Sequence, residues 1–160
     1  MDNKEIERKF LVKDDSFKAG CFKKERIIQG FLSSVPERTV RVRLMGSTGF
    51  LTVKGLGNAT GTTRFEWEKE ISASDAKALL QLCEPGIIDK TRYYNSAGNH
   101  TFEIDEFELE NKGLVIAEIE LKNEDDLFVK PVWLGEEVTG DIRYYNASLV
   151  RNPYQQWFKK

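Results

Sequence analysis

The sequence is poor in the residues that usually mark disulfide scaffolds, zinc sites and histidine chemistry. Its 160 residues include two cysteines and one histidine. Cys21 and Cys83 lie far apart, with neither a CxxC pair nor zinc spacing, so we expect two reduced thiols. His100 stands beside a Gly-Asn turn, which favours a loop position over a catalytic one. Phosphate-loop and zinc-protease motifs (GxxxxGK[ST] and HExxH) do not occur either.

Long apolar segments are also missing. No apolar run approaches the roughly 20 residues that a membrane-spanning helix needs. The first eight residues are mostly charged, which is unlike a signal peptide. We therefore expect a cytoplasmic protein that does not bind membranes.

Neither sign of charge is in excess. The chain carries 24 basic and 26 acidic residues, for a net charge of −2. This balance argues against a general nucleic-acid binder, which would present a strongly basic surface. A local basic site remains compatible with it, because net charge does not report how charges are distributed.

Alternation of apolar and polar residues with a period of two dominates the chain and predicts eight strands. One clear helix is predicted over Ala73–Cys83, with Ser72 as its N-cap. A shorter helix over Asn123–Val129 and helical structure over Tyr144–Val150 are predicted as well. Together these elements predict one mainly β domain over residues 1–160. The predicted strands are Lys4–Val12, Arg26–Ser34, Arg38–Met45, Gly49–Lys54, Thr62–Ile71, Ile87–Ser96, His100–Glu108 and Leu114–Lys122.

Most of these strands have an apolar face and a charged face. An antiparallel sheet with one solvated face alternates in the same way, but it would scatter mixed polar residues over the wet side. Here like charges recur two positions apart on one strand face. The basic pairs are Arg41/Arg43 and Lys90/Arg92, and the acidic pairs are Glu5/Glu7, Glu66/Glu68, Glu103/Asp105 and Glu118/Glu120. Since such pairs repel each other, they favour a site for a highly charged ligand over an ordinary wet surface.

The two kinds of pair suit different ligands. Paired carboxylates are typical of sites for Mg²⁺ or Mn²⁺, which prefer oxygen ligands. Arginine binds phosphate oxygens through two parallel hydrogen bonds, and lysine binds them as a point charge. The combination predicts a phosphorylated anion that is bound together with a divalent metal ion.

Eight strands with short connections can close into an antiparallel barrel, which removes the exposed sheet edges. If the charged faces point inward, the lumen must be a water-filled tunnel, because dry burial of many ions costs several kcal/mol each. The apolar faces then point outward, and the predicted helices cover only part of them. Association into a homodimer is therefore a further expectation.

The segment EIERKF carries the E-x-E-x-K signature of the CYTH superfamily, also called triphosphate tunnel metalloenzymes. The similarity continues in order through QGFL, VRVRL, FLTVKG, RFEWE, KTRYY, FEIDEF, AEIEL and WLGEEVTGDIRYYN. The chain thus resembles this family along nearly its whole length, and most of all the short bacterial tripolyphosphatases. The resemblance implies an eight-stranded antiparallel barrel whose lumen binds a triphosphate and a divalent metal ion, Mg²⁺ or Mn²⁺.

Carried over position by position, the resemblance also implies a role for individual residues. The implied metal ligands are Glu5, Glu7, Glu66, Glu118 and Glu120. The implied phosphate ligands are Lys9, Arg41, Arg43, Lys54, Lys90, Arg92 and Arg143. The implied catalytic residues are Lys9, Glu68 and Asp105, and the sequence does not decide whether Glu68 or Asp105 orients the attacking water.

One position departs from the family pattern. Phe31 stands where many relatives carry tyrosine in a QGYL motif. A phenyl ring cannot exchange a proton, so a base formed by a lysine–tyrosine pair is absent. Lys9 is then expected to bind phosphate, unless other neighbours set its pKa.

The resemblance favours hydrolysis of inorganic tripolyphosphate to diphosphate and phosphate, and it leaves three alternatives open. Family members also cyclise ATP to cyclic AMP or hydrolyse thiamine triphosphate. Trp67 and Trp133 are candidates for a thiamine clamp, although outer packing explains both more simply. A non-catalytic polyphosphate-binding protein is the third alternative, and the phenylalanine at position 31 slightly favours it.

Overall fold

The computed structural model describes residues 3–159, which form nine strands, two short α-helices and four 3₁₀ turns. No helix in this range is long and apolar enough to cross a membrane. The helices are α1 (Ala73–Leu80) and α2 (Asn146–Leu149). The strands are β1 (Lys4–Val12), β2 (Cys21–Ser33), β3 (Arg38–Met45), β4 (Thr48–Gly55), β5 (Thr63–Ser72), β6 (Ile88–Ala97), β7 (His100–Phe107), β8 (Val115–Glu120) and β9 (Leu134–Glu137).

The first eight strands close into an antiparallel barrel in the order β5-β4-β3-β2-β6-β7-β8-β1. Pairing of β1 with β5, where Glu5 lies opposite Arg64, completes the circle. The predicted eight-stranded barrel is confirmed. The ninth strand, β9, was not predicted, and it pairs with the end of β1 at Phe10 and Val12. Four residues are too few to show a period-two pattern, so β9 depends on this pairing.

Much of the apolar core lies on the outside of the barrel wall. Ala117 and Ile119 of β8 are fully buried there. The alternate residues Glu118 and Glu120 point into the lumen. The outer layer is covered by the 3₁₀ turn Asp15–Lys18 and by the chain around Trp133. This cluster comprises Phe10, Phe17, Tyr93, Ala97, Phe102, Ile104, Ala117, Ile119, Leu121, Trp133 and Leu134. The period-two alternation therefore separates an apolar exterior from a charged interior.

Helix α1 covers the outer face of β3 and β4. Ser72 caps it by accepting a hydrogen bond from the Asp75 amide at 2.9 Å. The helix packs so closely that a Cβ atom on Gly49 would lie 2.7 Å from the Cβ of Ala76. Its regular part ends at Leu80 rather than at the predicted Cys83, because the last amides bond three residues back instead of four.

The C-terminal segment packs a second apolar cluster against one end of the lumen. Its members are Ile88, Phe107, Leu114, Ile116, Val138, Tyr144 and Leu149. The Tyr144 ring meets Trp157 edge-on with centroids 5.2 Å apart. The predicted helical structure over Tyr144–Val150 is confirmed for α2, which follows a 3₁₀ turn at Ile142–Tyr144.

Two further elements differ from the prediction by more than two residues. The helix predicted over Asn123–Val129 is wrong, because the Asp126 carboxylate accepts bonds from the backbone amides of Lys122 and Asn123 and forms a local turn. Strand β2 begins at Cys21 instead of Arg26, since its first residues pair with β6. A side-chain hydrogen bond within the turn decides the first difference, and strand pairing decides the second.

Candidate active site in the barrel lumen

The inward faces of the strands border a cavity of about 290 Å³ at one end of the lumen. Its wall combines cationic groups from five strands with two carboxylates. The charged lining residues are Glu7, Lys9, Arg41, Lys54, Arg64, Lys90, Arg92 and Glu118. Closure of the barrel thus brings together basic residues that lie up to 83 positions apart in the chain, from Lys9 to Arg92.

Asp105 holds two of these cations in place. Arg92 donates to its two carboxylate oxygens at 2.8 and 2.9 Å, and Lys90 forms an ion pair with it at 2.8 Å. All three residues are buried: Arg92 is 7% exposed, Lys90 1% and Asp105 2%. Burial alone would raise the pKa of Asp105, but Arg92 and Lys90 outweigh it and hold the pKa well below its usual range. A carboxylate with so many cationic donors is suited to fixing those cations rather than to moving a proton.

Glu68 lies beside the arginine pair Arg41 and Arg43. Its Oε2 atom accepts bonds from Thr52 Oγ1 at 2.6 Å, Arg43 Nη2 at 3.3 Å and Arg41 Nη2 at 3.5 Å. Its side chain is 30% exposed and so remains accessible to water. Register explains the contact, because Thr52 pairs with Arg41 on one side and with Glu68 on the other.

The arginine pair carries more positive charge than its neighbours neutralise. Burial, together with repulsion from Arg43 and Arg92, lowers the pKa of Arg41. Within residues 3–159, the Nε atoms of Arg41 and Arg43 are buried and have no hydrogen-bond partner. Leaving a buried donor unpaired costs about 1–3 kcal/mol. The site therefore fits an anion with several acceptor oxygens.

Lys54 sits between two of the predicted metal ligands. Its ammonium lies 3.0 Å from Glu5 and 3.2 Å from Glu66. Burial lowers the pKa of Lys54, and the attraction of Glu7 and Glu5 opposes that shift. Burial by itself would raise the pKa of Glu5, but Lys54 reverses the direction and lowers it.

The remaining carboxylates crowd one another on neighbouring strands. Glu7 lies directly opposite Glu120, and Glu118 lies directly opposite Glu103. Burial raises the pKa of Glu120, and repulsion from Glu103 and Glu7 adds to the shift. Burial also raises the pKa of Glu103, against the opposing attraction of Arg92. Like charges placed opposite each other destabilise a sheet, so a bound cation would relieve the repulsion.

This acidic group fits a hard divalent ion in its chemistry. All donors are carboxylate oxygens, which Mg²⁺ and Mn²⁺ prefer. Across residues 3–159, however, no three acidic, histidine or cysteine side chains converge tightly enough to form a ready-made site. The predicted metal ligands Glu5, Glu7, Glu66, Glu118 and Glu120 border the lumen, and their assignment stays a prediction.

The signature lysine has neighbours from the C-terminal segment. Lys9 Nζ lies 3.6 Å from Glu118, donates to the Tyr144 carbonyl at 3.4 Å and stands 4.7 Å from the centre of the Tyr145 ring. Phe31 is buried and also lines the cavity. Its side chain has no polar atom for Lys9, which instead meets the aromatic face of Tyr145.

Arg143 is not brought to the lumen. Its side chain is 58% exposed and pairs with Asp141 at 2.7 Å, outside the cavity lining. Tyr145 and Asn146, two and three positions after Arg143, line the cavity instead. Sequence reasoning missed both because the segment was interpreted only as helical, although the RYYN stretch lies within the family resemblance.

The resemblance assigns no role to Arg64 or Glu103. Both alternate correctly with assigned residues, since Arg64 precedes Glu66 by two positions and Glu103 precedes Asp105 by two. Period two alone was therefore the signal that could have found them. The tryptophans lie elsewhere: Trp133 belongs to the outer core and Trp67 lies on the outward face of β5, and neither lines the cavity.

Comparison with known proteins agrees with this architecture. The model of the CYTH domain family matches residues 3–154. An inorganic triphosphatase of Acetivibrio thermocellus is 47% identical over 155 residues, which cover 96% of this chain and 97% of that protein. An inorganic triphosphatase of Nitrosomonas europaea is 36% identical over 91% of this chain and 96% of that protein. A solved structure of an inorganic triphosphatase has a TM-score of 0.65 at 34% identity and covers 91% of this chain and 97% of that one. On this sequence match and shared fold, the chain belongs to the CYTH domain family.

Proposed function

We propose that this protein is a divalent-metal-dependent hydrolase that converts inorganic tripolyphosphate to diphosphate and phosphate inside the lumen. The observation that carries the proposal is a cationic cavity beside crowded carboxylates. Arg41 lines this cavity, and the Nε atoms of Arg41 and of neighbouring Arg43 are buried without a hydrogen-bond partner among residues 3–159. The names of the relatives at 47% and 36% identity support the same substrate. A linear polyanion matches a cavity lined by cations from several strands.

The basic residues would bind and orient the phosphate chain. The arginines offer paired N–H donors to phosphate oxygens, while the lysines offer point charges. Since the cations are fixed before substrate arrives, little reorganisation is needed when charge develops during the reaction. The assigned ligands are Lys9, Arg41, Arg43, Lys54, Lys90 and Arg92, and the position of Arg143 does not support including it.

The acidic residues would hold the metal ion. A bound Mg²⁺ or Mn²⁺ supplies charge neutralisation for phosphate oxygens. The assigned ligands are Glu5, Glu7, Glu66, Glu118 and Glu120. Glu103 belongs to the same acidic group through its place opposite Glu118.

Glu68 is the better candidate to orient the attacking water. Its Oε1 atom accepts no hydrogen bond from residues 3–159, while Oε2 is held by Thr52 and the arginines. Both oxygens of Asp105 already accept from cations. Glu68 thus has a positioned, available acceptor, and Asp105 serves to fix Lys90 and Arg92.

The test is phosphate release from tripolyphosphate, ATP and thiamine triphosphate, with Mg²⁺, Mn²⁺ or EDTA. We expect metal-dependent release that favours tripolyphosphate and falls at least about 100-fold in Glu68→Gln. Glu70→Gln, an exposed acid two positions along the same strand, is the matched control. Preferred release from thiamine triphosphate, or cyclic AMP formed from ATP, would replace the proposed activity. Tight tripolyphosphate binding without turnover would indicate a non-catalytic binder.

We also propose that the protein forms a homodimer. Phe65 and Trp67 are 51% and 39% exposed on the outward face of β5, so we expect a homodimer that covers them. Light scattering on the wild type and on Trp67→Gln tests this, and a monomeric wild type would contradict it. A cytoplasmic location, without nucleic-acid or membrane partners, stays an expectation from the sequence.

A further inference from the structure

Tyr145 has a fixed place at the boundary between the lumen and the C-terminal segment. It is the residue before α2, and its backbone is extended, with φ −72° and ψ 137°. Its neighbours in the chain are anchored, because Tyr144 packs against Trp157 and Leu149 is fully buried. The Tyr145 ring is therefore held against the cavity by packing that lies on both sides of it.

Two cations from different strands lie over this ring. Lys9 Nζ of β1 lies 4.7 Å from the ring centre, and Arg64 Cζ of β5 lies 5.5 Å from it. Both distances are within the range of cation–π attraction. Since β1 and β5 form the closing pair of the barrel, one ring holds cations on both strands of that seam.

The hydroxyl end of Tyr145 points to the loop between β4 and β5. A Cβ atom on Gly61 would lie 3.1 Å from the Tyr145 hydroxyl oxygen and 2.4 Å from Gly140 Cα. Gly61 and Gly140 have φ values of +75° and +81°, which side chains rarely adopt. The two glycines let the loop and the C-terminal segment touch, and the tyrosine fills the corner between them.

Apolar side chains line part of the cavity as well. Leu56 of the loop and Ile142 of the C-terminal segment line this part of the cavity, and they are 63% and 68% exposed. The cavity therefore meets solvent at the loop and the C-terminal segment, the two parts of the chain that Tyr145 joins. A group attached to the end of a phosphate chain held by Lys9 and Arg64 would lie next to the Tyr145 ring, because both cations lie over that ring.

We infer that Tyr145 is a specificity-determining residue that favours an unsubstituted triphosphate over a nucleoside triphosphate. Its ring face positions Lys9 and Arg64 for the end of the phosphate chain, and its bulk occupies the space that a substituent needs. This assignment rests on the proposed function, because it names what that site excludes. The ring face performs both tasks, and the hydroxyl group is not required for either.

The experiment compares wild type, Tyr145→Phe and Tyr145→Leu with tripolyphosphate and with ATP. In Tyr145→Leu we expect kcat/KM for tripolyphosphate to fall about three- to tenfold, because two cation–π contacts are lost. The ratio of ATP to tripolyphosphate kcat/KM should rise about tenfold, since the ring no longer occupies the space that a substituent needs. Tyr145→Phe keeps the ring and should stay within about twofold of wild type on both substrates.

Tyr154→Leu is the matched control, because Tyr154 packs on Trp157 in the same C-terminal segment but does not line the cavity. It should lower the melting temperature without moving the substrate ratio. An unchanged ratio in Tyr145→Leu overturns the assignment. So does a Phe variant as impaired as the Leu variant, or an ATP rate that falls more than the tripolyphosphate rate, which would mean that the ring stacks on the base.

Calorimetry in EDTA measures the dissociation constants of tripolyphosphate and ATP, and their ratio is compared between wild type and the variants. If wild type turns over neither compound, the proposed function fails, yet the binding ratio still decides the role of Tyr145. If wild type hydrolyses tripolyphosphate and the Leu variant keeps the wild-type ratio, only the Tyr145 assignment fails.

Discussion

The Lys90 ammonium donates a hydrogen bond to the side-chain oxygen of Asn146 over 2.9 Å, which joins β6 to the start of α2. The same oxygen accepts a bond from Gln29 Nε2 at 2.8 Å. Gln29 is 0% exposed and Lys90 is 1% exposed. Neither side chain can therefore replace this hydrogen bond with one to bulk water. A cation of the lumen is thus oriented by a residue of the C-terminal segment.

Replacing Asn146 should therefore affect both stability and binding. Asn146→Ala leaves Gln29 without its partner and removes one acceptor from Lys90. We expect the free energy of unfolding to fall by about 1–3 kcal/mol, with a higher KM for tripolyphosphate. Urea unfolding and steady-state kinetics check the two effects.

Asn146→Asp separates the two effects. It keeps an oxygen acceptor for Lys90 and Gln29 but adds negative charge to a cavity that binds phosphate. We expect Asn146→Asp to be more stable than the alanine variant and to have a higher KM for tripolyphosphate than wild type. Asn99→Ala, in an exposed turn, should change neither property. A wild-type KM in Asn146→Asp would speak against a phosphate group near Asn146.

Asp105→Asn tests the buried ion pairs. Removing the carboxylate charge leaves Lys90 and Arg92 underneutralised, which should lower stability at pH 7 by about 3–5 kcal/mol. The pKa of Asp105 is below its usual value, so its stabilising effect is present above pH about 4 and is lost as the pH falls further. The difference between wild type and variant in urea unfolding should therefore shrink at pH 3.

The control for this prediction is Asp141→Asn, which disrupts the exposed pair with Arg143. Exposed pairs contribute about 0–1 kcal/mol, so this variant should unfold almost like wild type. Equal losses in Asp105→Asn and Asp141→Asn would contradict the importance of the buried pairs.

Anions should stabilise the protein without metal. Tripolyphosphate would satisfy the unpaired Nε atoms of Arg41 and Arg43 and reduce the repulsion between these side chains. At about 100 times the dissociation constant we expect the melting temperature to rise by about 5–10 °C in EDTA. Arg43→Gln should lose much of this shift, and Arg143→Gln should keep it. Equal shifts in the two variants would place the anion elsewhere.

Substrate binding should weaken at alkaline pH. Burial and repulsion from Arg92, opposed by Asp105, lower the pKa of Lys90 to about 8. Because only the protonated amine attracts phosphate, the KM for tripolyphosphate should rise as the pH increases above about 8. Lys90→Arg keeps its charge in this range and should flatten the alkaline rise, even if its overall rate is lower. A wild-type KM that is constant from pH 7 to 9.5 would show that Lys90 stays charged.

Local alternation determined a large part of this protein. Val42 and Arg43, or Ile104 and Asp105, were assigned to opposite faces from period two alone, and the structure places them on opposite sides of the barrel wall. The pairing of like charges indicated a lumen, because repulsion between neighbours on one strand needs a ligand to offset it. The E-x-E-x-K signature and the ordered motifs then indicated the family.

Tertiary structure decided which charges meet. The sequence places Glu68 and Asp105 in equal positions on charged faces. The pairing of β6 with β7, however, surrounds Asp105 with Lys90 and Arg92, whereas one oxygen of Glu68 stays available. The fourth strand's register likewise determines that Lys54 pairs with Glu5, 49 positions away. These contacts depend on strand order and stagger around the barrel, which alternation along one strand does not encode.

The C-terminal segment shows the same division most clearly. Arg143 carries the charge that sequence reasoning seeks, but it lies at the surface, while Tyr145 and Asn146 reach the cavity. Residue type and spacing decide which side chains can bind phosphate or cations. Where a short irregular segment points its side chains is decided by the packing of its buried neighbours, here Tyr144 and Leu149, against the barrel end.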